Sequence, residues 1–196
     1  MVTISAQKSW TDTLNGGEVF PKIHLILPGG SIEFGLLKKL TEYAKQKANE
    51  TGRDVMFSAT TNIVSMNESR LAWSLENEFK LRFSMDGFGE RNKYRKIKGT
   101  LENSSGIIES KLPMIFEVYK KFNRLPKFRL TSDPGILEGL ADDFIRLCEM
   151  GAGHVRISEN YNSDWYGTHV FKLKSEYEKL LDYQLYNLHD DKMIKI

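Results

Sequence analysis

Two periodicities alternate along this chain. Short β-branched or aromatic runs give way to longer stretches whose apolar residues recur every three or four positions. Such a succession predicts consecutive βα units around a parallel sheet. The first clear strand is expected over residues 22–27, stopped by Pro28-Gly29-Gly30. Phe34, Leu37, Leu40, Thr41 and Ala44 then follow at helical spacing as far as Gly52. Further strands are expected over residues 55–59, 80–85, 127–130 and 155–157. Between them, helices are expected from Asn67-Glu68 through Leu75, from Ile107 to Phe122 and from Leu137 to Cys148, and a last one from Glu176 to Leu188. Pro113 either bends its helix or marks where that helix starts. Ahead of these elements, Ser5 to Leu14 reads as a helix with Trp10 and Leu14 on one face.

The strand ends carry the candidate chemistry. They run into Gly30-Ser31, Thr61-Asn62, Ser84 with Asp86-Gly87, Ser132-Asp133 and Glu159-Asn160. Parallel α/β sheets bind ligands at the carboxyl ends of their strands, so five polar ends in series would face one site. A plainer account also covers each end singly, because any loop that meets water is polar.

Composition narrows the class. A length of 196 residues suits one domain or a large part of a bigger one, and 40% hydrophobic with 28% charged residues is ordinary for a globular protein. A net charge of +2 is too small to argue for nucleic acid. The single cysteine, Cys148, excludes an internal disulfide framework and any thiolate-only cluster within the chain; it lies in an apolar helical stripe, as a buried inert thiol would. No apolar run approaches the roughly 20 residues that span a bilayer, and the N-terminus lacks a secretion signal, so a cytoplasmic protein is expected. No low-complexity tract or internal sequence repeat is apparent. His24, His154 and His169 share no metal-ligand spacing.

Several segments, taken in order, carry a family likeness. Ile23-His24-Leu25-Ile26-Leu27-Pro28-Gly29-Gly30-Ser31 stands where one superfamily has a strand ending in GGEP. Phe57-Ser58-Ala59-Thr60-Thr61-Asn62 matches its TTN turn, and Arg82-Phe83-Ser84-Met85-Asp86-Gly87 matches its S-x-D-G turn. Arg91-Asn92-Lys93-Tyr94-Arg95 keeps only the final arginine of its H-D-x-x-R segment. Phe128-Arg129-Leu130-Thr131 is similar to its fifth strand, and Leu147-Cys148-Glu149-Met150-Gly151 to the approach to its sixth. Together these resemble the radical S-adenosylmethionine (radical SAM) superfamily, in the SPASM-domain branch of peptide and protein maturases. The resemblance spans nearly the whole chain. It implies an α/β fold, a partial TIM-type (βα) barrel of parallel strands alternating with helices, with residues 1–196 forming a single incomplete domain whose first strand is missing.

The resemblance also implies an S-adenosylmethionine site made by Gly29, Gly30, Ser31, Thr61, Asn62, Ser84, Asp86, Arg95 and Thr131, with no catalytic residue and no metal ligand in this chain. Two departures limit it. The C-x-x-x-C-x-x-C loop that holds a 4Fe–4S cluster in the family is absent and is expected upstream of Met1, so this chain alone is expected to be inactive. Ser31 stands where the family has a glutamate for the cosubstrate's ammonium, which weakens retained S-adenosylmethionine binding; Glu33 is the nearby substitute. Plainer roles are a tight turn at Gly29-Gly30, backbone capping by Asn62, an Asx turn at Asp86-Gly87, and a solvated basic loop around Arg91, Lys93, Lys96 and Lys98. Thr131, Ser132, Glu159 and Asn160 occupy late strand ends that the family turns toward adenosine or substrate.

The implied partner is a peptide or protein substrate. Nucleic acid is not expected, since Tyr94 among basic residues is too little for RNA, and neither is a membrane. Self-association is expected through the sheet edge left by the missing first strand. The competing reading is a non-catalytic, degenerate barrel that keeps a peptide- or nucleotide-binding groove. A third, an unrelated phosphate-binding barrel enzyme, lacks the glycine-rich loop such sites place after their late strands. The family assignment requires neighbouring parallel strands.

Overall fold

In a computed structural model, residues 3–7, 22–27, 33–97 and 99–187 are described, with side chains from His24 onward. The elements are β1 (Thr3–Gln7), β2 (Lys22–Leu27), α1 (Phe34–Glu50), β3 (Val55–Asn62), α2 (Glu68–Glu76), β4 (Lys80–Met85), α3 (Ser105–Lys121), β5 (Lys127–Ser132), α4 (Leu140–Glu149), β6 (His154–Glu159) and α5 (Gly167–Asn187). Short 3-10 turns at Gly89–Asn92 and Pro134–Ile136 follow β4 and β5. The sheet runs β1-β2-β3-β4-β5-β6. Its last five strands are parallel and alternate with helices, as in a partial (βα) barrel.

One element differs in kind from expectation. Thr3–Gln7 is a strand, antiparallel to β2, with Thr3 opposite Ile26 and Gln7 opposite Lys22. It is not the start of a helix over residues 5–14, and residues 8–21 lie outside the described ones. A ten-residue helix is marginal in water, whereas the open edge of β2 offers unpaired backbone groups. Pairing there wins. The edge expected to drive self-association is therefore covered at β2 by β1.

The chain divides into two compact units. The first comprises Met1–Thr61 and Ser69–Leu81. Within it β2 and β3 pair in parallel, with Leu25 beside Phe57. Leu25, Leu27 and Phe57 are buried on one face. Phe79 stacks on Phe57 at 4.9 Å between ring centroids, Trp73 lies 5.7 Å from Phe79, and Phe34 meets Trp73 edge-on at 5.2 Å. This aromatic chain pins both helices of the unit to its strands.

The second unit comprises Asn62–Glu68 and Arg82–Ile196. Phe83 pairs in register with Phe128, and Phe128 with Val155. All three are fully buried, with Ile108, Leu112 and Ile115 of α3 and Phe144 and Leu147 of α4. Pro113 lies inside α3, which begins earlier than expected, at Ser105. The first turn of α4 lacks a side-chain cap of its own. Buried Glu176 of α5 supplies one, its Oε2 accepting the Ala141 N–H at 2.8 Å. α5 itself starts at Gly167, well before the expected Glu176; of its residues only Glu176 and Leu180 are buried, too sparse a stripe to show a period.

Candidate functional site

The loop after β4 decides where the candidate side chains stand. Asp86 and Gly87 leave the strand, and Asn92, fully buried, closes the turn: its Oδ1 accepts the Asp86 N–H at 3.2 Å and its Nδ2 donates to Ser104 Oγ at 3.1 Å. Arg91 is buried as well, so the expected solvated loop does not include it. Its Nε donates to Asp143 Oδ2 at 2.6 Å, and its other nitrogens reach the carbonyls of Glu138 and Asp86. Burial pushes the Asp143 carboxyl above its usual range, although the Phe88 N–H and Arg91 both oppose that shift.

Gly87 is required by this packing. A Cβ there would stand 2.2 Å from Asp143 Oδ2 and 2.7 Å from Arg91 Cβ. The backbone of Arg95 is then fixed on both sides, its N–H donating to Asn92 O at 3.0 Å and its carbonyl accepting from the Ser104 N–H at 2.8 Å.

So held, Arg95 turns its guanidinium back to the strand end. One Nη donates to Ser84 Oγ at 2.9 Å and to Asp86 Oδ1 at 2.7 Å. Three of the nine expected site residues thus form one constellation. The pair is recessed, with side chains 27% and 10% exposed for Arg95 and Asp86. Arg95 Nε is buried and has no hydrogen-bond partner among the described residues.

The other expected residues fall as follows. Asn62 Oδ1 accepts from Ser65 N–H at 3.3 Å and Ser65 Oγ at 3.1 Å, which caps the turn after β3. Thr61 is buried and by alternation shares the face of Phe57, not that of Asn62. Thr131 is half-buried on β5, while Ser132 is fully buried. Beyond β5, Asp133 accepts from Asn160 Nδ2 at 3.0 Å, from the Gly135 N–H at 3.0 Å and from Ser163 Oγ. Burial would raise its carboxyl, but these three donors outweigh it and hold the group below its usual range. Glu33, weighed as a substitute for the missing glutamate, is the N-cap of α1, its two oxygens accepting the N–H groups of Gly35 and Leu36. Gly29, Gly30 and Ser31 lie outside the described residues.

Sequence reasoning passed over three arginines. Arg82, Arg129 and Arg156 sit one to a strand on β4, β5 and β6. The signal was a repeat: Lys-Leu-Arg-Phe-Ser over 80–84, Lys-Phe-Arg-Leu-Thr over 127–131 and His-Val-Arg-Ile-Ser over 154–158. The chain does contain an internal repeat, one strand long.

The chain's residues do not fit an iron–sulfur cluster. Its one thiol, Cys148, is buried on α4, and burial pushes it up to about 12. Among the described residues no group of His, Cys, Asp and Glu could hold a metal ion. No helix there is long and apolar enough to cross a membrane.

No protein-family model matches this chain, and no curated protein does. Solved structures do. Native anSMEcpe with bound AdoMet superposes with a TM-score of 0.72 over 94% of this chain and 51% of its own, at 17% identity. Native anSMEcpe with bound AdoMet and Kp18Cys peptide gives 0.69 over 88% and 50%, at 16% identity. The same protein with AdoMet and Cp18Cys peptide gives 0.66 over 84% and 46%, at 17%. This chain spans about half the length of the structures it matches. At such identities the likeness is one of fold: the parallel βα arrangement of this chain is that of about half of anSMEcpe.

Proposed function

We propose that this chain is a radical S-adenosylmethionine-type partial barrel, related to peptide and protein maturases, which keeps a site for the amino-acid end of S-adenosylmethionine but not the means to cleave it. The observation that carries the reading is the constellation of Ser84, Asp86 and Arg95. Its fold likeness to structures with AdoMet bound supports the relation, and the peptides in two of them support a peptide partner.

The chemistry of the three side chains suits a zwitterion. An α-amino acid presents one carboxylate and one ammonium, and recognition needs one cation and one anion close together. Arg95, with one Nη taken by Ser84 and Asp86, offers its other Nη to the carboxylate as a charge-assisted donor. Asp86 accepts from the ammonium, and Ser84 accepts from the same Nη as Asp86 and so helps to hold the guanidinium in place. Asn62 and Thr131 are the further contacts in the same unit. When bound, S-adenosylmethionine supplies a sulfonium whose carbon–sulfur bond breaks on receipt of an electron. This chain carries no cluster ligands to deliver that electron, so its proposed role is binding, in the cytoplasm.

Calorimetric titration tests this. S-adenosylmethionine and S-adenosylhomocysteine should both bind, and Arg95→Gln and Asp86→Asn should each weaken binding by about tenfold or more. 5′-Methylthioadenosine, which lacks the amino-acid end, should bind weakly and be indifferent to either substitution. Circular dichroism confirms that the variants fold. Absence of heat with S-adenosylmethionine, or binding that ignores Arg95→Gln, overturns the proposal.

A further inference from the structure

The repeated strands place a band of positive charge on one face of the sheet. In β4, β5 and β6 the second and fourth residues of each five-residue repeat face the core: Leu81, Phe83, Phe128, Leu130 and Val155 are buried, and Ile157 is half-buried. Strand alternation puts the first, third and fifth on the opposite face. Register fixes their neighbours, with Ser84 beside Arg129, Arg129 beside Arg156, and Lys127 beside His154. Arg82 lies two residues before Ser84 on the same side.

This band works against stability. Like charges on neighbouring strands repel. Among the described residues no carboxylate pairs with Arg82, Arg129 or Arg156; Asp86 is taken by Arg95. The Nε atoms of Arg82 and Arg129 are buried and have no hydrogen-bond partner among the described residues. An N–H of a cation drawn from water without an acceptor costs stability, and the charge beside it favours an anion at the exposed end of the side chain. His154 shares the region, and burial, then Arg82, Lys127 and Arg156, hold its imidazole below the usual range. A half-buried strand face selected for packing alone would favour threonine or valine. Conflict of this kind between local sequence and stability marks functional surfaces.

We propose that this face binds an acidic peptide segment, its Asp or Glu carboxylates seated on the guanidinium forks of Arg82, Arg129 and Arg156. Spacing and chemistry favour carboxylates over a single phosphate. With neighbouring strands ~4.8 Å apart and Arg82 two residues out of register with the other two, the three arginines spread over roughly 12 Å, wider than one phosphate but matched to two or three carboxylates along a chain. Phosphate sites also recruit backbone N–H groups from helix N-termini or nests, whereas the strand amides here are engaged in the sheet ladder. The inference deepens the reading of a peptide partner and rests on it for the nature of the ligand; the binding itself does not depend on S-adenosylmethionine.

Fluorescence anisotropy with a labelled ten-residue peptide rich in Asp and Glu tests it, beside an Asn/Gln peptide of the same pattern and with pyrophosphate as competitor. The acidic peptide should bind, less tightly as salt rises, and the neutral one should not. Arg129→Gln and Arg156→Gln should each weaken binding by roughly tenfold or more. Arg156 is exposed, so its variant should fold; Arg156→Lys should keep part of the affinity. Calorimetry with S-adenosylmethionine on the Arg156→Gln protein runs alongside and should be unchanged. Equal binding of the neutral peptide, indifference to both arginine substitutions, or no binding by the acidic peptide overturns the inference. Binding of pyrophosphate in place of the peptide overturns it in favour of a phosphate ligand. Loss of S-adenosylmethionine binding with intact peptide binding would instead sink the proposed function alone.

Discussion

Gly87→Ala puts the loop that carries Arg95 to the sharpest test. The new methyl would stand 2.2 Å from Asp143 Oδ2 and 2.8 Å from Arg91 Nε, both in a buried pair whose side chains are 12% and 10% exposed. Neither partner is the free end of a surface chain, so the methyl and the 2.6 Å bond between them cannot coexist. Breaking a buried ion pair costs about 3–5 kcal/mol, an alanine at φ 155° adds about 1–2 kcal/mol of backbone strain, and the entropy lost by the unfolded chain returns about 0.4–1 kcal/mol. We expect a net loss of about 3–6 kcal/mol, read from urea unfolding followed by fluorescence. Gly89→Ala is the control, because Gly89 has φ 50° but open space around its Cβ position, and should cost about 1–2 kcal/mol through left-handed backbone alone. If the two variants are equally stable, Asp143 does not stand over Gly87 and the account of how Arg95 is positioned fails.

Three further outcomes follow from the geometry. Asp133 has its folded pKa held below the unfolded value, so its hydrogen bonds stabilise the protein above that unfolded value and are lost as pH falls through the folded one; the stability gap between the wild type and Asp133→Asn should shrink on acidification below about pH 4, and a gap that widens contradicts the assignment. With its thiol pushed up to about 12, Cys148 should be about one part in ten thousand thiolate at pH 8; iodoacetamide should label it only after unfolding, and rapid native labelling would show it is not buried. Deleting residues 1–7 removes β1 from β2 and opens an edge; light scattering should show more self-association than for the intact chain, and an unchanged mass would mean that β1 does not protect that edge.

How much of this was legible depended on which periodicity the residues displayed. The strand over residues 80–85 could be read because Leu81, Phe83 and Met85 alternate with polar partners, and its observed bounds agree. The strands over 127–132 and 154–159 each ran longer than expected, because Thr131, Ser132, Ser158 and Glu159 look like loop residues while still pairing in the ladder. β1 was misread because its pairing partner lies some twenty residues away, where no local pattern reports it. Site legibility split in the same way. Ser84, Asp86 and Arg95 were found from a motif order and meet in space. Arg91 reads locally as part of a basic loop, because its acceptor, Asp143, lies 52 positions along the chain. The three strand arginines give no signal singly, because each, seen alone, is an ordinary polar position of an alternating strand.

The two arginines of that loop allow structure and binding to be separated within five residues. Arg91 ties three segments together through Asp143, Glu138 and Asp86, and among the described residues the other hydrogen bond to the Asp143 carboxylate comes from the Phe88 N–H. Arg95 has its backbone fixed by Asn92 and Ser104 without help from its side chain. Removing the Arg91 guanidinium should therefore cost about 3–5 kcal/mol, the range for an uncompensated buried partner. Removing that of Arg95 should cost about 1 kcal/mol, since the Arg95→Gln amide can still donate to Asp86 or Ser84. Arg95→Gln should then be a folded protein that binds S-adenosylmethionine about tenfold or more weakly, and Arg91→Gln a destabilised one whose remaining folded fraction still binds it. The reverse order, with Arg95 the costlier loss in urea, would make the Ser84–Asp86–Arg95 constellation a structural clasp and leave the proposed site without its cation.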